Sequence, residues 1–375
     1  MNFEFSEEQE QLRTSVRGFL DAQAPIRSVR DLWDDPRGTT PELWGGLAEL
    51  GVVGLLVPEA VGGVGGGMVD VAVICEELGR AVNPGPYEAS AVGAAGLLVD
   101  LGTPDDHAVL LPPIADGSRV GTVALLEPGR RSEWRAPETT AVADGDGPEC
   151  GWIVSGTKVH VPSLAAADVA LVTATVEETG ALGVFAIETR EARVEPTASV
   201  DGTRREGTLT LDRIPARRIG TGDATDAVAQ TVDRLHTAAV VDGVGAAARA
   251  LEISVEYAQA RRQFDSPIGA FQAVQHLCAD MLRNVELARA AAYYACWALD
   301  AADRTEAHRA ATMALAFAGD GLYQVGADTI QVHGGVGYTW EHDAHLFYKR
   351  LLTLQGLGGG GTDQLEELAT IVLDP

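Results

Sequence analysis

Tyr257-Ala-Gln-Ala-Arg261-Arg262-Gln263-Phe264-Asp265-Ser266-Pro267-Ile268-Gly269-Ala270-Phe271-Gln272 ends one helix with an arginine pair and turns through Asp-Ser-Pro. It then opens a new helix that carries a glutamine in its first turns. A forked, permanently charged guanidinium beside a helix N-terminus suits a pyrophosphate: the fork matches two phosphate oxygens and the helix end presents unbonded N–H groups. A second stretch, Gln331-Val332-His333-Gly334-Gly335-Val336-Gly337-Tyr338-Thr339, puts paired glycines after a long helical pattern. There the backbone can pass close to a flat or phosphorylated ligand that a Cβ would hold off. Each stretch alone has a plainer explanation, a solvated charge pair or a glycine C-cap with a tight turn. Their order and context favour the ligand.

Around these stretches the chain is helical from Asp223 onward, with segments over 224–262, 268–303, 306–333 and 340–354. Alanine runs such as Ala246-Ala247-Ala248 allow close helix packing. Upstream lie short β-rich runs at 120–126, 152–161, 169–176, 182–187 and 208–211, parted by turn clusters such as Asp144-Gly145-Asp146-Gly147. No helical period intervenes, so the middle of the chain predicts an antiparallel β domain rather than βαβ units. The N-terminal third is helical again. Ser6-Glu7-Glu8-Gln9 has the capping-box pattern, and Leu12, Val16, Phe19 and Leu20 share one helical face. Further helices are expected over 40–50, with Pro41 in the first turn, over 68–80 and over 89–101. The run Gly62–Gly67 reads as a flexible loop, since no strand precedes it as a dinucleotide fingerprint requires.

The 375 residues are 46% hydrophobic, enough for two or three domains with a large core. A net charge of −26 argues against nucleic acid or an anionic membrane as partner. The acidic start Met1-Asn-Phe-Glu-Phe-Ser-Glu-Glu is neither a signal n-region nor a transit peptide, so a cytoplasmic location is expected. Cys75, Cys150, Cys278 and Cys296 stand far apart and are expected to be small buried hydrophobes rather than disulfides or zinc ligands.

Both opening stretches resemble the acyl-CoA dehydrogenase family, whose pattern runs Arg-x-x-Phe-Gly-x-Pro-Ile-x-x-Phe-Gln and later Gln-x-x-Gly-Gly-x-Gly-Tyr. Leu50-Gly-Val-Val-Gly-Leu-Leu-Val-Pro58-Glu59 and Glu76-Glu77-Leu78-Gly79-Arg80-Ala81 resemble further family stretches, so the likeness spans nearly the whole chain. It implies an α+β multidomain fold: an α-helical N-terminal domain (1–116), a middle antiparallel β-barrel (117–222) and a C-terminal four-helix bundle (223–375). It also implies an acyl-CoA substrate and FAD as hydride acceptor. Arg261, Gln272 and the turn Gln331, Val332, His333, Gly334 and Gly335 would reach the FAD held largely by a partner subunit, with Gln263 and Phe264 beside them.

The sequence departs from the family where the chemistry lies. The glutamate that removes the α-proton falls on Gly360 when aligned on Gly361-Thr362, and on Leu235 at the alternative helical site. A positioned base is worth on the order of 10²–10⁴ in rate. Asp233 and Asp363 are the nearest substitutes, with His236 an outside candidate. In the middle domain Thr-Glu-Pro has become Leu126-Glu127-Pro128, without the following Gly-Ser-Asp. Gly-x-Lys-x-Trp-Ile-Thr, which borders the flavin ring, reads Gly156-Thr157-Lys158-Val159-His160-Val161, with Val-His-Val in place of Trp-Ile-Thr. This asymmetry implies a subunit that lacks its own base and completes the FAD site of a paralogous partner, resembling the α₂β₂ dehydrogenases of bacterial steroid side-chain breakdown. A self-sufficient homotetramer with a displaced carboxylate, a flavin oxidase or monooxygenase of the same fold, and a purely stabilising subunit are the alternatives.

Overall fold

The computed structural model describes residues 5–145 and 151–373. Cys150, the Asp146-Gly147 half of the turn cluster and the first four residues of the acidic start lie outside them.

Helix α1 (Glu7–Gln23) begins as its capping box requires: the Ser6 hydroxyl accepts from the Gln9 N–H at 3.2 Å and Gln9 Oε1 accepts from the Ser6 N–H at 3.0 Å. After α2 (Ile26–Asp31), α3 (Pro41–Glu49) starts behind Thr40, whose hydroxyl accepts from the Leu43 N–H. The glycine run before α4 (Met68–Arg80) is ordered rather than flexible. Gly63, Gly65 and Gly66 donate to the carbonyls of Pro58, Val57 and Leu55, folding the run back on the preceding turn. The single helix expected over 89–101 is a π-helix, Glu88–Ala94, leading into α5 (Ala95–Leu101). A helix absent from the expectations, α6 (Pro104–Ala115), follows a second capping box formed by Thr103 and Asp106.

Among the described residues seven strands come next: β1 (Gly121–Ala124), β2 (Thr140–Asp144), β3 (Gly151–Pro162), β4 (Val169–Val176), β5 (Leu182–Glu188), β6 (Arg193–Thr197) and β7 (Glu206–Ile219). The pairings β4–β2–β3–β7–β5–β4 form a closed circuit, a small barrel. The sheet is mixed, not antiparallel as expected, because β1 and β2 both run parallel to β4. The long excursion between β1 and β4 supplies the crossover that parallel pairing needs. Strand β4 is buried on both faces for a reason. Ala170, Val172, Ala174 and Val176 fill one core with Val154, Phe185 and Leu209, while Val169 and Leu171 join a second core with Leu97, Leu98, Leu111 and Ile114.

The remainder is α7 (Thr225–Ala260), the short strands β8 (Arg262–Gln263) and β9 (Ser266–Pro267), α8 (Gln272–Ala301), α9 (Arg304–His333), α10 (Ala344–Gly356) and α11 (Gly361–Leu373). Helix α9 packs against α8, α10 and α11. Thus a further helix, α11, accompanies the four expected, with Gln364, Leu368 and Ile371 on its inner side.

The chain divides into two compact units, residues 31–71 with 84–235, and residues 1–30 with 72–83 and 236–375. The first holds both cores named above. In the second, α4 and α7 cross at two glycines: a Cβ on Gly79 would overlap the Asp242 carbonyl, and one on Gly245 the Glu76 carbonyl. Close crossing explains the glycine of Glu76-Glu77-Leu-Gly-Arg-Ala without a ligand. Asp242 is buried there and accepts from Arg350 Nη1 at 2.9 Å, while Arg350 Nη2 donates to the Asn83 carbonyl at 3.2 Å. Cys75 and Cys296 are buried as expected, but Cys278 is only half-buried. Among the described residues no helix is long and apolar enough to cross a membrane.

Candidate functional site

Helix α7 stops at Ala260, and the next residues form a tight hairpin rather than an Asp-Ser-Pro turn. Strands β8 and β9 pair antiparallel, and the two residues between them, Phe264 and Asp265, have φ of 52° and 60°. This is the geometry of a two-residue hairpin loop that suits β-twist and ordinarily selects glycine or asparagine. The Arg262 guanidinium closes the loop by donating to the Asp265 carbonyl at 2.6 Å. Phe264 at the tip is 88% exposed and meets Phe271 edge-on at 6.2 Å between ring centroids. Gln272 is the first residue of α8, and Phe271 before it offers no side-chain cap to the helix N–H groups.

The second stretch ends α9 at His333 and continues as a 3₁₀ turn, Gly334–Tyr338. Gly334 has φ 63°, so its backbone favours glycine. Gly335 does not, and a Cβ at either position would meet nothing within 4 Å. Nothing in this unit therefore requires a glycine at Gly335; the space over the pair is open. Three rings join this turn to the hairpin's helix: His333 lies 4.6 Å from Tyr257 and 4.3 Å from His342. The two stretches singled out in the sequence are thus brought together.

Their side chains fall into two groups. Arg261, Gln263, Gln272 and Gln331 are exposed and form no side-chain hydrogen bond or ion pair among the described residues. Val332 and His333, expected among the cofactor contacts, turn inward and are 6% and 4% exposed, so their side chains serve packing. Arg261 and Gln331 thus carry exposed, unengaged polar groups on the two stretches that Tyr257 and His333 join, donors of the kind a phosphorylated ligand such as FAD takes.

The positions expected for a base give no carboxylate. Gly358, Gly359 and Gly360 all have positive φ, and Gly360 sits at φ 89°, ψ 176°. That region is essentially restricted to glycine. Gln364 locks the loop by donating from Nε2 to the Gly358 carbonyl at 2.6 Å. Asp363, in the first turn of α11, folds back so that a Cβ on Gly359 would overlap its carboxylate. His236 is half-buried against Gly358. Leu235 packs with the helical core in the other unit, and Asp233 is buried there.

The ring-side motif of the barrel is taken up internally. Lys158 is 0% exposed, and its Nζ donates to Glu127 Oε1 at 2.9 Å, Thr173 Oγ1 at 3.1 Å and the Leu125 carbonyl at 3.2 Å. Burial alone would raise the Glu127 carboxyl, but bonds from Thr139, Lys158 and the Glu138 N–H outweigh it and hold it at about 2. Burial pulls the Lys158 ammonium down to about 8. Counted from Lys158, it is His160, Val161 and Pro162 that fall on Trp-Ile-Thr, a correction of one position to Val-His-Val. His160 lies at a bulge with φ 52° and binds Glu206 Oε2 through Nδ1 at 2.6 Å; Pro162 has neither N–H nor hydroxyl to offer a flavin ring.

The acyl-CoA dehydrogenase N-terminal domain model matches residues 6–118, and the acyl-CoA dehydrogenase C-terminal domain model residues 220–372. Acyl-CoA dehydrogenase IpdE2 of Mycobacterium tuberculosis is 33% identical over 347 residues, 92% of this chain and 91% of that one. Among solved structures, the Tcur3481–Tcur3483 steroid ACAD is 34% identical over 98% of both chains with a TM-score of 0.88. The ChsE4–ChsE5 complex of Mycobacterium tuberculosis is 28% identical over 100% of both, with a TM-score of 0.87. The chain belongs to the acyl-CoA dehydrogenase family, whose members are FAD-dependent oxidoreductases.

Proposed function

We propose that this chain is the non-catalytic subunit of a two-subunit acyl-CoA dehydrogenase, lending adenosine-side contacts to an FAD whose ring pocket and base belong to a paralogous partner. The observation that carries this reading is the backbone at Gly360. A glutamate placed there could not adopt φ 89°, ψ 176° without strain, so the loop is built for glycine rather than missing one side chain. Leu235 at the alternative site is a packed hydrophobe. FAD, when bound, accepts the hydride from the acyl β-carbon. The residues of this chain would act earlier: Arg261 on the pyrophosphate, Gln272 and Gln331 on polar groups nearby, and the Gly334–Gly335 backbone by close approach.

The substrate we propose is a bulky, steroid-type acyl-CoA, a reading supported by the similarity to a steroid ACAD named as a pair of chains and to a complex of two ChsE proteins. Purification of the chain alone and with acyl-CoA dehydrogenase paralogues of the same genome tests the assignment. Stoichiometric FAD and acyl-CoA-dependent dye reduction are expected only from a co-purified pair. Both properties in the chain alone would sink it.

A further inference from the structure

We propose that His333 is a positioning residue for the FAD-contacting face: as a neutral imidazole wedged between Tyr257 and His342, it holds the Gln331–Gly335 turn beside the arginine hairpin, and acidification releases it. The inference rests on the reading of that face given above.

The geometry restricts this ring to one protonation state. Nδ1 lies 2.8 Å from the Thr329 carbonyl, an acceptor only, so Nδ1 carries the proton. Nε2 is buried and has no hydrogen-bond partner among the described residues. A proton added there would be a buried charge with nothing to receive it. The groups facing the ring do not relieve this. From α7 comes the Tyr257 ring, and from the segment after the turn comes His342, a second potential cation at 4.3 Å. The nearby carboxylates are engaged elsewhere: Asp343 with Arg30 at 2.6 Å, and Asp328 on the same helix with Gln324 at 2.9 Å. On α10, His345, which burial pulls down to about 4, and Lys349 supply no counter-charge. Burial, reinforced by His342, accordingly holds His333 below the usual imidazole range.

Because the packed ring takes up a proton less readily than a free one, the packed arrangement keeps its full stability above about pH 6.5 and loses it as pH falls below that value. Release would let the turn part from Tyr257, which lies in the last turn of α7 four residues before Arg261, so the arginine and the glycine pair would no longer present one surface.

The test is FAD dissociation from the purified two-subunit complex, followed by free-flavin fluorescence at pH 7.5 and pH 5.5. The wild type is expected to weaken measurably over this interval, by at most about tenfold, the limit for one group titrated one unit below its free value. His333→Phe keeps a ring and cannot titrate; whatever its affinity at pH 7.5, the ratio of its dissociation constants at the two pH values is expected to lose the wild-type response. A wild type whose affinity is flat with pH, or a His333→Phe complex with the wild-type response, overturns the proposal. Should His333→Phe fail to fold, hydrogen exchange of the wild-type chain over residues 329–338 decides, corrected for intrinsic rates. Protection lost at pH 5.5 supports the pin, and unchanged protection overturns it. That exchange measurement needs neither FAD nor a partner, so its outcome stands apart from that of the subunit assignment.

Discussion

The arginine hairpin with its glycine turn and the polar centre of the barrel both descend from motifs that a flavoenzyme would use, yet they treat their polar groups in opposite ways. Around Lys158 every polar atom is consumed: Glu127 accepts from Thr139, from the Glu138 N–H and from the ammonium itself, and His160 is tied to Glu206. Around Arg261, in a chain of net charge −26, the guanidinium has no carboxylate and the glutamines have no partner among the described residues. A polar group that the fold satisfies is structural, whereas one kept exposed and unpaired is available to another molecule. The motif letters alone do not make that distinction.

The contrast is broken most severely at Glu127. Glu127→Gln leaves the Lys158 ammonium buried without its counter-ion, which costs about 3–5 kcal/mol. Denaturant unfolding should register this, and a midpoint within error of the wild type would return the pair to the list of possible ligand groups. Acid probes the same pair without mutation. The Glu127 carboxyl is held at about 2, well below its unfolded value, so its contribution is complete above about pH 4.5 and disappears as pH falls toward 2. The shift corresponds to about 3 kcal/mol, and Glu127→Gln should flatten that limb of the stability profile.

At the position proposed to lack the base, Gly360→Glu should cost about 1–3 kcal/mol through its backbone and yield no dehydrogenase activity in the chain alone. Turnover from that variant would mean that the glycine loop tolerates a base after all. The smallest effect is expected at the hairpin tip. Asp265 occupies a left-handed position where the family pattern has glycine, so Asp265→Gly should stabilise by roughly 0.5 kcal/mol, read as a small rise in melting temperature.

Local signals carried much of the architecture. Ser6 with Gln9, Thr40 before Pro41 and the apolar run Val169–Val176 each announce an element whose ends the structure reproduces. The failures have local causes too. Helix α6 contains Pro112 and Pro113, which mask it, although Thr103 and Asp106 spell its start. Strands β2 and β6 are short and largely unburied, and β6 contains Pro196, so neither shows a clean alternation. The first residues expected in one helix at 89–101 adopt π geometry, which the apolar pattern Ala89–Ala94 cannot distinguish from α. Phe264-Asp265 makes its loop without the glycine or asparagine that would have marked it.

At the candidate site, the residue types were legible but their directions were not. Val332 and His333 were expected beside Gln331 as contacts; the helical turn of α9 sends them inward and leaves Gln331 outside. Nor does spacing reveal that Lys158 is fully enclosed or that Arg261 lacks a partner. Both depend on what distant segments bring alongside.

The most direct measurement of the central claim is the flavin content of the co-purified pair carrying Arg261→Ala in this chain alone. An exposed, unpaired arginine owes the fold little, so assembly by size-exclusion chromatography should be unchanged while FAD affinity falls about 10–100-fold, the equivalent of one charge-assisted phosphate contact. A complex that assembles and keeps FAD as tightly as the wild type would contradict the account.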